Sequence, residues 1–189
     1  MRLAILALPV LLVVPVAATA VPLWDRWQLA CEEPAFAWPV DVASGGRTTR
    51  LGSVAGPTER VIRHDMYGSG LFGSHRSGGR SHNGIDLAAP IGAPVRAAKS
   101  GVARWNQQRS GMGTYLEVFH PDGSVTLYGH LSGVLVNDGQ WVRRGQPIGL
   151  IGKSGNARAR AIHAHLHFEL RLRGVPVDPL DGYLEGTGA

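Results

Sequence analysis

The chain predicts an all-β, mostly antiparallel domain of the sandwich or barrel-like type, and three observations carry that prediction. Short segments alternate apolar and polar residues with period two, as in Thr114 to His120 and His163 to Leu172. Turn signals such as Pro121-Asp-Gly123 and Asn137-Asp-Gly139 recur at close spacing between them. Glycine (26) and proline (12) are spread along 189 residues, and no stretch after the first twenty shows the 3.6-residue period of an amphipathic helix. Many short strands joined by tight turns close most readily into packed antiparallel sheets.

Met1-Arg2 precedes an apolar run from Leu3 to Val21, and Ala18-Thr-Ala20 has the small residues of a signal-peptidase site. Residues 1–20 therefore read as a signal peptide cleaved after Ala20. The same run is long enough to span a bilayer as an uncleaved anchor. Both readings place the rest of the chain outside the cytoplasm, in the periplasm or beyond the cell. Residues 21–35, with Trp24 and Trp27, read as a connector. Cys31 is the only cysteine, so an internal disulfide is excluded and the fold must rest on its core or on a metal. Leu29-Ala-Cys31 makes a poor lipoprotein site, because Asp25 and Arg26 separate it from the apolar run.

Phe36 to Val40 reads as a first short strand. Ser44 to Gly79, rich in Gly, Ser and Arg, reads as long loops, in which Gly68-Ser-Gly-Leu-Phe-Gly73 would allow a close backbone approach. From Ser81 strands dominate. Pro94 to Trp105 alternates. Thr114 to His120 and Ser124 to Tyr128 form a hairpin, and His130 ends a strand that reads as buried on one side. Trp141-Val142 and Pro147 to Gly152 follow, and then the strand from His163 to Leu172. A strand projects alternate side chains to opposite faces. Leu166, Phe168 and Leu170 therefore form a core face, while His163, His165 and His167 share the other. Imidazoles gathered on one face reach a common small object, and a metal ion is the commonest such object.

The formal charge of +5 marks a basic surface, suited to a polyanion such as nucleic acid, anionic lipid or an acidic wall polymer. No Lys/Arg run or aromatic-interleaved basic motif is present, which speaks against nucleic acid. Membrane contact is expected only through an uncleaved N-terminal segment.

Two further clusters carry metal-ligand chemistry. His82-Asn-Gly-Ile-Asp86 keeps an imidazole and a carboxylate on one side of an extended segment, and Tyr128-Gly-His-Leu-Ser132 adds His130. The order His82, Asp86, His130, His165-Leu-His167 resembles the lysostaphin- and LytM-type zinc endopeptidases that cut peptidoglycan peptides. The resemblance covers about Phe36 to Leu184. It is carried by Ser81-His-Asn-Gly-Ile-Asp-Leu-Ala-Ala-Pro90, Gly92-Ala-Pro-Val95, Ser124-Val-Thr-Leu-Tyr-Gly-His-Leu-Ser132, Val142-Arg-Arg-Gly-Gln-Pro-Ile-Gly149, His165-Leu-His-Phe-Glu169 and Val177-Asp-Pro-Leu180.

The resemblance implies a peptidase domain over 36–184 with a five-residue tail, and a β fold with an open groove floored by a sheet. It implies one Zn²⁺ held by His82, Asp86 and His167, with His130 and His165 as catalytic histidines. It also implies peptidoglycan peptides as substrate, and the chain is expected to be monomeric. The reading that follows is an exported zinc metalloendopeptidase. Its rivals are an inactive LytM-like module that binds and activates a wall amidase, and a zinc peptidase of ordinary proteins. Inactive modules of this kind lose ligands or catalytic histidines, and here all five positions are filled. Two features depart from the family pattern. Gly155 to Ile162 replaces a short turn and carries Arg158 and Arg160, either as a solvated loop or as a basic rim of the groove, and Thr114 stands where Asn is usual. His64, His75, His120 and His163 match no motif and read as loop or surface residues, with His163 close enough to His165 to support it.

Overall fold

The computed structural model describes Glu33, residues 35–40 and residues 62–187. The leader, most of the connector and Cys31, and the first part of the long-loop region fall outside these.

Nine strands form one sheet: β5 (Ile85–Ala88), β6 (Pro94–Arg96), β7 (Gly101–Gln107), β8 (Thr114–Phe119), β9 (Val125–Val134), β10 (Trp141–Val142), β11 (Pro147–Ile151), β12 (His165–Leu172) and β13 (Val175–Val177). Their order runs β10-β7-β8-β9-β11-β6, and β12 also pairs with β9. All these pairings are antiparallel. Two small hairpins precede the sheet, β1 (His64–Asp65) with β2 (Gly68–Ser69) and β3 (His75–Arg76) with β4 (Arg80–Ser81). The predicted all-β, antiparallel class is the observed one.

Apolar alternation explains the packing. Leu166, Phe168 and Leu170 of β12 are fully buried with Ile85, Leu87, Leu116, Val118, Leu131, Ile148 and Ile151. Each such side chain contributes about 1.5–3 kcal/mol relative to exposure. The hairpin predicted from Pro121-Asp-Gly123 joins β8 to β9. Phe36 to Val40 does not form a strand. It makes two isolated bridges, Phe36 to Leu184 and Val40 to Val95, because Pro39 lacks the N–H that a ladder needs.

Strand β9 differs from expectation in a way that matters. It does not end at His130 but runs on to Val134. Opposite β8, Leu116 pairs with Tyr128 and Thr114 with Leu131, so Gly129 and His130 together face Tyr115. This is a β-bulge. His130 adopts φ +63°, rare for a residue with a side chain, and its N–H donates to Met112 O at 2.8 Å. The bulge lets the strand continue while turning His130 out of the alternation.

His120 corrects a second expectation. It is buried, not superficial: its Nδ1–H donates to Ser100 O (3.0 Å), and Nε2 lies 2.9 Å from Thr126 Oγ1. Thr126 in turn meets the hydroxyl of buried Tyr128, which also accepts from Ala98 N–H. The core thus contains a satisfied polar chain rather than orphaned donors.

Candidate active site

Strand β12 lies between β9 on one edge and β5 on the other, with His167 opposite both Gly129 and Asp86. That register brings the three motifs together at one end of the sheet. His82 enters from the loop after β4. His82, Asp86, His130, His165 and His167 are all buried.

His82 Nε2, Asp86 Oδ1 and His167 Nδ1 form a triangle, with sides of 2.9 Å between the imidazole nitrogens and 3.0 and 2.9 Å to the carboxylate oxygen. The far side of each group is already engaged. His82 Nδ1–H donates to Leu71 O at 2.9 Å, and His167 Nε2–H donates to Glu169 Oε1 at 3.0 Å. Asp86 Oδ2 accepts from Arg63 Nε and Nη2 (3.2 and 2.9 Å) and from Arg76 Nη2 (2.9 Å). These outer bonds fix ring orientation and tautomer so that one nitrogen lone pair per ring points inward. Two imidazole nitrogens and one carboxylate oxygen aimed at a common point suit zinc, which takes three protein ligands in a catalytic site.

Electrostatics support the arrangement. Burial alone would raise the Asp86 carboxyl, but hydrogen bonds from His167 and His82 and the charge of His167 and His165 hold it well below the usual carboxylate range. Burial likewise opposes a proton on His167, yet Asp86 and Glu169 outweigh it and lift the ring to about 9. Metal uptake at His167 therefore displaces a proton.

His130 and His165 stand beside this triangle with ring centroids 4.9 Å apart, and His130 is 5.9 Å from His167. His130 Nδ1–H donates to Ser154 O (3.0 Å), and His165 Nδ1–H donates to His163 O (2.6 Å). A carbonyl can only accept, so in both rings Nε2 keeps its lone pair. Burial lowers His130 to about 3, helped by charge on His165 and His167, and burial lowers His165 to about 4. Both rings are neutral bases at neutral pH. His163 itself precedes β12 and is exposed, so it does not share the predicted histidine face. It serves through its backbone, which also binds Asp65 Oδ2 through its N–H.

The site opens into a cleft of about 700 Å³ lined on one wall by Tyr67, Arg76, Arg80 and Ser81 and on the other by Met112, Asn156, Ala157 and Ile162. Arg158 and Arg160 do not line it. Gly155–Arg158 forms a single 3₁₀ turn that buries Ala157 and leaves Arg158 exposed. The wall is pinned by Thr114 N–H to Ser154 Oγ and by Gly111 N–H to Asn156 Oδ1, both 2.9 Å. Thr114 thus acts through its backbone.

Sequence reasoning missed Arg63, Asp65, Arg76 and Glu169. The first three lie in the stretch read as loops. The Gly68 to Gly73 cluster was the available signal: Gly70 N–H donates to Arg63 O, and Asp86 N–H donates to Gly70 O. The close approach it permits is to the strand that carries Asp86.

Residues 80–179 match peptidase family M23. The chain belongs to that family. It is 43% identical over 101 residues to the DD-carboxypeptidase/endopeptidase Mpg of Neisseria meningitidis serogroup B, covering 53% of this chain and 22% of the relative. It is also 43% identical over 99 residues to the peptidoglycan DD-endopeptidase ShyA of Vibrio cholerae, again 22% of that protein. The aligned region thus spans about a fifth of these relatives. Among solved structures, a zinc-containing peptidase from Vibrio cholerae superimposes with a TM-score of 0.59 and 35% identity, over 79% of this chain and 40% of the other. This M23 chain therefore shares the fold and the peptidase family of enzymes built around the same type of β scaffold.

Proposed function

We propose that this M23 domain is an exported zinc metalloendopeptidase that hydrolyses amide bonds in the peptide part of peptidoglycan. The observation that carries the reading is the convergence of His82 Nε2, Asp86 Oδ1 and His167 Nδ1 beside two unengaged Nε2 atoms, those of His130 and His165. The names of the relatives support the substrate class, and the leader supports export.

In this reading His82, Asp86 and His167 hold the metal. Bound zinc supplies a Lewis-acid centre that polarises the scissile carbonyl and lowers the pKa of water to ~7. The chain supplies the rest. His130 and His165, neutral and with Nε2 free, accept the proton of the attacking water and return one to the leaving amine. Protonated, either ring stabilises the oxyanion of the tetrahedral intermediate. The Nδ1–H bonds to Ser154 O and His163 O hold both rings in the tautomer this exchange requires. The cleft walls position the peptide so that attack is effectively unimolecular.

Incubating purified protein with sacculi, with and without chelator, and identifying the released muropeptides tests the proposal. Release that stops with chelator and returns with zinc is the expected result. No release at any metal loading would instead favour the amidase-activating module, although the five filled positions speak against it.

A further inference from the structure

Five Arg, Asp and Glu side chains line the cleft among the described residues: Arg63, Arg76, Arg80, Asp86 and Glu169. Four are engaged with opposite charge. Arg63 and Arg76 both hold Asp86, and Glu169 takes Arg171 and His167. Arg80 has no such partner. Its Nε donates to Ser77 O at 3.3 Å, and the side chain is otherwise exposed at the mouth.

The position of Arg80 is set by its hairpin. Arg76 and Arg80 are register partners across β3 and β4, so their side chains leave the ladder on one face. Arg76 reaches Asp86 from that face. Two guanidiniums placed opposite each other repel, and Asp86 neutralises only the nearer one. A second cation at the mouth of a cleft whose other charges are balanced matches an anion that arrives with the ligand. A guanidinium recognises a carboxylate through two parallel hydrogen bonds, and Ser77, Ser81 and Asn83 on the same wall supply further polar contacts.

We propose that Arg80 forms a carboxylate subsite in this cleft and makes the protein selective for acidic stem peptides over amidated peptides or glycine-only bridges. This rests on the hydrolase reading and sharpens its substrate class.

The test uses two synthetic ligands, each with its carboxylates free or amidated: a cross-linked stem-peptide dimer for turnover and an uncross-linked stem tetrapeptide for binding. Zinc-loaded wild type and Arg80→Gln are compared by KM, kcat and calorimetric Kd. The expected result is a preference of about tenfold for the free form in KM and Kd. Arg80→Gln removes that preference, and Arg80→Lys restores part of it. No preference in wild type, or an equal loss on both forms in Arg80→Gln, overturns the subsite. Arg80-dependent selectivity in tetrapeptide binding without cleavage of either dimer supports the subsite and overturns the hydrolase reading instead.

Discussion

Asp86 and His167 face each other directly across the ladder between β5 and β12, and Asp86 Oδ1 stands 2.9 Å from His167 Nδ1. The other oxygen of the same carboxylate is held by two guanidiniums. Asp86 therefore joins the candidate metal triangle to the hairpins upstream. Asp86→Ala is expected to lose zinc, measured as metal content after dialysis. It also removes the carboxylate shared by Arg63 and Arg76 and leaves Arg63 with Asp65 alone, so metal-free protein loses about 1–3 kcal/mol in denaturant unfolding. Metal content equal to wild type would remove Asp86 from the ligand set.

The two remaining histidines separate binding from chemistry. His130→Ala and His165→Ala should each retain stoichiometric zinc while muropeptide release falls by about 10²–10⁴-fold. Loss of zinc in either variant would place that ring among the ligands. His167→Ala should lose both.

Glu169 is 1% exposed and bonds His167 on one side and Arg171 on the other. Glu169→Ala leaves the His167 Nε2–H unpartnered. Zinc affinity, read by competition with a chromophoric chelator, is expected to weaken by about 10–100-fold. An unchanged affinity would show that the ring is held by packing alone.

A Cβ on Gly70 would lie 2.7 Å from Arg63 O and 2.9 Å from Asp86 Cβ and O. Gly70→Ala must push β5 and the preceding segment apart, at a cost of about 1–3 kcal/mol. Thermal unfolding should show the loss, with weaker zinc binding alongside it. A neutral substitution would mean that the upstream segment can move away freely.

Acid sensitivity has a separate source. Burial would raise Asp122, but Lys99 at 2.6 Å and the Ser124 hydroxyl and N–H outweigh it and lower the carboxyl from 3.8 to about 2. A carboxyl depressed in the folded state stabilises fully above the unfolded pKa and loses that effect as pH falls through the folded one. Asp122→Asn should therefore have a lower Tm than wild type at pH 6, with the gap closing between about pH 4 and pH 2. A constant gap across that range would assign the difference to packing.

The fold class was legible because it depends on short-range patterns, and the five candidate site residues were named through the motifs that carry the family resemblance. Period-two alternation put Leu166 and Phe168 inside, and motif order brought His82, Asp86, His130 and His165-Leu-His167 together. What surrounds them was not legible. Arg63 and Arg76 sit among glycines and polar residues with no periodicity, and only the tertiary fold shows that both reach one carboxylate oxygen. The bulge at Gly129-His130 was hidden for a similar reason. An extra residue shows itself only against the partner strand, and His130 therefore read as the end of a strand rather than the middle of one. His120 looked superficial because nothing local announces the Thr126 and Tyr128 hydroxyls that satisfy it.

The upstream hairpins also bear on where the working unit starts. The family model matches from residue 80, but Arg63 and Arg76, which brace Asp86, and Leu71, whose carbonyl orients His82, all come earlier. A fragment trimmed to residues 80–179 would keep every candidate ligand and lose the struts that aim them. The span that the family model covers and the span that braces the candidate ligands therefore differ by the residues from Arg63 to Gly79.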